Sequence, residues 1–253
     1  MAANQRLFHC RKALTYIAVA LVLMSVGHPL HSQDHDEQSR PVAVVSQVED
    51  FEVNGRGNAA QWKNTDWIDL NQRDDQRTQY KSRFKVLYSR TGIYFLLDGT
   101  DSRLTASLGD FDDLWTEDVY EFFLWTDDQH SIYFEYEISP LNKELPILIP
   151  NVGGQFLGWR PWHYEGQRKT RKEVFIRRET EDAESAIVGW SAEVFVPFEL
   201  LKPLGNVPPE PGSRWRANVY RMDHDTQPTI GWDWSRVGKS FHEFQKFGTF
   251  VFE

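Results

Sequence analysis

From residue 83 to residue 252 the apolar side chains recur at every second position, in short runs broken by polar turns. A period of two belongs to the β-strand, whose successive side chains point to opposite faces. The runs are 83–89 (RFKVLYS), 93–98 (IYFLLD), 118–125 (DVYEFFLW), 132–138 (IYFEYEI), 173–178, 190–196, 215–221 (WRANVYR) and 249–252. Thr91-Gly92 and 126–130 supply turns, so 118–138 reads as a hairpin. Helical periodicity is absent apart from one turn at 198–201. Many short strands between turn signals predict an all-β chain, an antiparallel β-sandwich or jelly roll. One segment breaks the pattern. Residues 141–171 hold Gly153, Gly154, Gly158, Trp159, Trp162 and Tyr164 and run into a basic cluster at 168–172. This is a long loop excursion at one end of the sandwich. It reads equally as a binding loop or as a flap packing its own Trp residues.

The first residues have a different character. Arg6, Arg11 and Lys12 precede an apolar run, 13–26, followed by small residues near Ser32. That is the pattern of a secretory signal over 1–32, too short to span a bilayer. Cleavage near Ser32 or Gln33 leaves a flexible tether, 33–40, and one domain, 41–253, in a secreted or periplasmic setting. The single cysteine, Cys10, leaves with the signal, so the body has no thiol, disulfide or thiolate metal ligand. Without those three cations 25 basic residues face 37 acidic ones, a net charge of −12. An acidic surface repels phosphate backbones, which excludes nucleic acid as a natural partner. With the signal removed, no further segment is apolar enough to span a membrane.

Alternation sorts the hairpin into faces. Tyr120, Phe122 and Leu124 share the core side with Phe134, Tyr136 and Ile138. Glu121, Glu135 and Glu137 share the other, and a symmetric turn puts Glu121 nearly opposite Glu135. Like charges across a strand pair are destabilising. In 215–221, Trp215, Ala217 and Val219 point to the core, and Arg216, Asn218 and Tyr220 point away. Glu193 has the same polar phase. Such a face is either a solvated sheet exterior with salt bridges or a groove for a polyhydroxylated ligand.

Several pieces, in order, resemble the family 9 carbohydrate-binding modules and their DOMON-like relatives. They are 51–55 (FEVNG) and Trp62; 85–88 leading to Tyr94-Phe95; Trp115 with Asp118, Val119 and Glu121; 133–142 (YFEYEISPLN); Trp190 with Glu193 and Pro197; 215–221; and Phe241-His242 with Phe247-Gly248. The resemblance covers 51–253. It implies a β-sandwich that binds an oligosaccharide or polysaccharide, often at a chain end, between two aromatic rings, with structural calcium and a place in polysaccharide breakdown. Carried over, Trp115 and Trp234 match the paired rings, with Trp232 the rival to Trp234, and Glu121 matches a hydroxyl-binding carboxylate. Asn218 and Arg221 lie on the matching strand, but on opposite faces by alternation. Glu135 and Glu137 depart from the family pattern, which has a basic or amide residue on that strand, and make the site more acidic.

Two other classes compete with a non-catalytic binder. A glycoside hydrolase would use Glu121 and Glu135, whose cross-strand separation of roughly 5 Å suits a retaining mechanism. No element that would raise one pKa selectively is visible in the sequence. A DOMON-like haem or redox domain needs an axial Met-His pair, for which Met222 and the body histidines are the candidates. For calcium, Asp98, Asp101 and Asp113 are the candidate oxygen ligands, beside Asp110 and Asp112. They do not follow EF-hand spacing, and a solvated acidic loop is the equal alternative.

Overall fold

The computed structural model describes residues 40–73, 79–152 and 155–253. The signal, Cys10, tether positions 33–39, Gly153 and Gly154 lie outside the described residues. The strands are β1 (Val42–Gln47), β2 (Ile68–Asp69), β3 (Asn71–Gln72), β4 (Ser82–Tyr88), β5 (Gly92–Thr100), β6 (Val119–Trp125), β7 (Ile132–Ile138), β8 (Glu144–Val152), β9 (Gln155–Phe156), β10 (Arg160–Pro161), β11 (Arg171–Arg178), β12 (Ile187–Pro197), β13 (Arg214–Asp223), β14 (Ile230–Asp233) and β15 (Gly248–Phe252), with one helical turn, α1 (Phe198–Leu201).

They form two sheets joined by one strand. The first runs β10-β8-β7-β6-β13-β15-β1 and the second β1-β4-β5-β12-β11. The start of β1 pairs in parallel with β15 and its end pairs in parallel with β4. The other pairings are antiparallel. This is the β-sandwich expected from the alternation. Among the described residues no helix is long and apolar enough to cross a membrane.

The sheets meet through the apolar phase of each strand. Phe95 of β5 stacks on Phe122 of β6 at 3.9 Å, and Tyr120 meets the Trp190 ring at 4.7 Å. Trp190 and Trp215 are fully buried in this layer. Aromatic burial on this scale supplies the stability that a body without disulfides needs.

Each sheet is also covered on its outer side. The segment carrying Phe51 and Trp62 packs on Leu87, Tyr94, Leu96 and Phe195 of the second sheet. On the first sheet, Leu108, Phe111 and Leu114, Trp159, and Val237, Phe241 and Phe244 come from three separate loops. They pack over Val119, Phe123, Tyr133, Ile147 and Tyr220. Thus β6 and β7 are buried on both faces. The 141–171 segment, one reading of which is a flap, supplies Trp159 to this cover; the contributions from 108–114 and 237–244 carry no such signal, because they are remote in sequence.

The 141–171 excursion contains more order than expected. Its first part is the nine-residue strand β8, which extends the first sheet beyond β7. Pro146 and Pro150 hide it in the sequence, since proline cannot donate to a ladder and demotes a run from strand status.

Candidate functional site

A pocket of about 920 Å³ opens on the outer side of the first sheet. Its floor is the polar phase of the β6–β7 hairpin, and its walls come from the loops just described. Glu121, Glu135 and Glu137 all line it, and so does Trp115. The register differs from the symmetric-turn expectation. Glu121 stands opposite Glu137, and Glu135 stands opposite Phe123. The hairpin turn is offset, so the like charges that face each other directly are 121 and 137.

Trp115 sits on a short 3-10 turn, Leu114–Thr116, whose Leu114 anchors in the loop cluster while the Trp ring remains 50% exposed. An exposed Trp at a pocket mouth is a surface on which a sugar ring can stack. Phe156, Trp159 and Phe241 add further aromatic lining. His242 stacks on Phe156 at 4.2 Å and shares a 2.8 Å hydrogen bond with the Tyr133 hydroxyl. Burial pushes His242 down to about 4, so at neutral pH it is an uncharged ring.

The three carboxylates are nearly sealed from bulk water, with Glu137 completely buried. Burial raises the Glu121 carboxyl to about 8, against a smaller opposing effect from Arg73. Glu135 is held well above the ordinary range by burial and by the charge of Glu121. Burial does the same to Glu137, with Glu121 and Glu135 adding to it. Near neutral pH such groups hold protons and can both donate to and accept from hydroxyls. Both oxygens of Glu137 and Oε2 of Glu135 lack a well-formed hydrogen bond, although Glu135 and Glu137 adjoin each other and the Trp115 backbone N–H adjoins Glu137.

The other residues predicted for the site lie elsewhere. Trp234 is 5% exposed in the inter-sheet core, against Phe84 and Phe250. Trp232 is buried in the same core under the Arg221 guanidinium. The Trp115–Trp234 pair of facing rings is therefore not formed, and Trp232 does not replace Trp234. Arg221 lies on the inner face. It donates to Asp101 Oδ2 at 2.8 Å, Asp223 Oδ2 at 3.0 Å and the Thr100 carbonyl. Gly99 makes room for it, since a Cβ there would sit 2.3 Å from Arg221 Nη1. Asn218 has the outer phase but is spent on structure. Its amide nitrogen donates to the Tyr220 hydroxyl and the Ser235 carbonyl, and its Oδ1 accepts from the Ser235 N–H. Glu193 faces outward from the other sheet, where its carboxylate accepts from Asn54 N, Gly55 N and Trp62 Nε1.

The predicted calcium ligands are not brought together. Asp98 pairs with Arg83 and Arg177, and Asp113 is exposed on the Trp115 loop. Asp101 does belong to the one carboxylate group of metal-ligand spacing among the described residues, with Asp223 and Asp225. Arg221 already bridges the first two, and Arg103 pairs with the third. The group is balanced by protein cations and does not fit a calcium ion without displacing them.

Three solved structures share this arrangement of strands. A candidate carbohydrate-binding protein from Bacteroides uniformis ATCC 8492 superposes with a TM-score of 0.68 at 17% identity, covering 85% of this chain and 100% of its own. A family 9 carbohydrate-binding module from Caldicellulosiruptor kristjanssonii in complex with cellotriose gives 0.59 at 13% identity, over 84% of this chain and 94% of its own. A family 9 module from the same organism in complex with glucose gives 0.59 at 14%, over 84% of this chain and 96% of its own. At these identities the likeness is one of fold: the chain has the sandwich of the family 9 carbohydrate-binding modules. No protein-family model and no curated protein matches the chain.

Proposed function

We propose that this chain is an exported, non-catalytic protein that holds a saccharide in the pocket over the β6–β7 hairpin. The observation that carries the reading is the pocket's composition. A half-exposed Trp and further aromatic rings surround carboxyl groups that have hydrogen-bonding capacity left over. Aromatic faces take the apolar side of a sugar ring, and polar groups take its hydroxyls. The shared fold supports the assignment, since two of the structures similar to it hold cellotriose and glucose. A walled pocket suits the end of a chain better than its middle. The signal-like 1–32 and the cysteine-free body accord with work outside the cytoplasm, in polysaccharide breakdown.

Catalysis is disfavoured by the electrostatics. A retaining glycosidase needs one carboxyl protonated and its partner ionised. Here all three are pushed in the same direction by the same burial, which gives no division into acid and nucleophile. Haem is disfavoured too. Met222 and His242 both line the pocket, but its floor is acidic and haem carries anionic propionates of its own.

The test is calorimetric titration with a panel of soluble oligosaccharides, repeated on Trp115→Ala. Binding by the parent that the variant loses supports the reading. Absence of binding across the panel, or undiminished binding by the variant, overturns it.

A further inference from the structure

We infer that the saccharide this pocket takes is an amino sugar, its protonated amine seated among Glu121, Glu135 and Glu137. The inference rests on the saccharide reading above and narrows it to a chemical class.

Three carboxyl groups converge on one pocket, two of them directly opposed across a strand pair. Opposed like charges destabilise a sheet, and apolar side chains of similar size would be better tolerated there. Glu137 and Glu135 nevertheless keep three oxygen atoms without a well-formed hydrogen bond, their polar neighbours being each other and the Trp115 backbone N–H. Within the protein no cation answers them. Arg73, whose charge reaches Glu121, has its guanidinium held by Asp233 and the Gly238 carbonyl. Arg160 and Lys239 line the pocket but are exposed, and among the described residues neither pairs with a carboxylate. Arg160 donates instead to the Trp159 carbonyl. His242 Nδ1 stands 3.9 Å from Glu135 Oε2, beyond hydrogen-bond reach. A cation brought by the ligand lets one of these carboxyls give up its proton and pair with it.

The shape of the site selects among cations. A divalent ion needs oxygens gathered around one point, and the three Glu side chains do not meet that spacing. Among the described residues only Asp101, Asp223 and Asp225 do. The volume of about 920 Å³ suits an organic ligand rather than a bare ion. The walls are aromatic, and the rings of Trp115 and Trp159 attract an ammonium group as well as sugar C–H groups, while Phe241 is stacked on Tyr220 and capped by Arg73 and Phe156 is stacked on His242. An amino sugar supplies all the complements at once. Its ammonium pairs with one carboxyl, which releases its proton to solvent as the cation enters, its hydroxyls meet the other two, and its ring lies on an aromatic face.

The experiment compares three probes by calorimetry at fixed pH and moderate salt: a β-1,4-linked glucosamine tetramer with free amines, its fully N-acetylated counterpart and cellotetraose. The free-amine tetramer should bind at least tenfold tighter than either of the others. In Glu135→Gln and in Glu137→Gln, each checked for folding by near-UV circular dichroism, that ratio should fall toward one. The fall separates the pocket from the general attraction of an acidic protein for a cation. If the parent binds cellotetraose or the N-acetylated tetramer as tightly as the free-amine form, the amino-sugar inference is overturned while saccharide binding stands. A ratio that survives both substitutions overturns it as well. If none of the probes binds, both readings fail.

Discussion

Replacing Glu121 by Gln should stabilise the protein, by an amount that grows with pH. The folded state holds this carboxyl at about 8, against a reference of 4.5, because the ion is poorly solvated where it sits. Between those two values the folded protein keeps a proton that the unfolded chain has released, so raising the pH favours unfolding. The penalty is negligible below about 4.5, grows by about 1.4 kcal/mol per pH unit, and is complete near 8, on the order of 5 kcal/mol in all. Gln has nearly the same shape and no charge to desolvate, so it lacks this penalty. Glu135 and Glu137 are also relieved when a neighbouring charge disappears, and the trio titrates as a unit. Asp101 and Asp118, raised by burial to about 7 and about 6, weaken the parent in the same direction, but they are common to both proteins and cancel in the difference. Urea unfolding followed by Trp fluorescence, at pH 5, 7 and 9, measures that difference. It should widen by several kcal/mol from pH 5 to pH 9, most of it before pH 8. A constant difference, or one that narrows, refutes the claim that Glu121 is a desolvated acid.

Trp115→Ala should leave stability within about 0.5 kcal/mol, because the ring is half exposed, while saccharide affinity falls at least tenfold. Trp234→Ala should do the opposite: thermal unfolding should show a loss of about 3–5 kcal/mol from the core cavity. Glu193→Ala strands two peptide N–H groups and the Trp62 indole, and denaturant titration should show a loss of at least about 3 kcal/mol. Arg221→Met leaves Asp101 and Asp223 without their shared cation, a loss of about 3–5 kcal/mol. In the parent, where Arg221 fills that role, excess chelator should leave the melting temperature unchanged. A large drop would reveal a calcium site that this cluster does not account for.

The sandwich was legible because alternation is local. Side chains at 118–125 and 132–138 declare their faces without knowledge of any partner, and those assignments put three Glu residues on one side. What lay beyond reach was whatever covers that side. Leu114, Trp159 and Phe241 come from three loops far apart in the chain, and no periodicity marks a loop that folds onto a sheet. The same limit explains Trp234 and Arg221. Ile230, Trp232 and Trp234 share one phase and one core, but the run is so short that its alternation alone does not say which side of a sheet it faces. Arg221 carries the inner phase by strict alternation, yet a buried guanidinium is tolerable only with Asp101 and Asp223 beside it, and the first lies 120 residues away. The pocket wall had one usable signal. The aromatic and glycine content of 141–171 marks an unusual segment, and its Trp159 does line the site.

The central claim is that a saccharide occupies the pocket over the β6–β7 hairpin. Indole N–H resonances of the uniformly ¹⁵N-labelled protein, titrated with the tightest-binding oligosaccharide, test it most directly, because the Trp residues sample both pocket and core. The account predicts progressive shifts for Trp115 and Trp159, with Trp190, Trp215 and Trp234 still. Shifts confined to the core indoles, or none at Trp115 while binding is saturated, would contradict it.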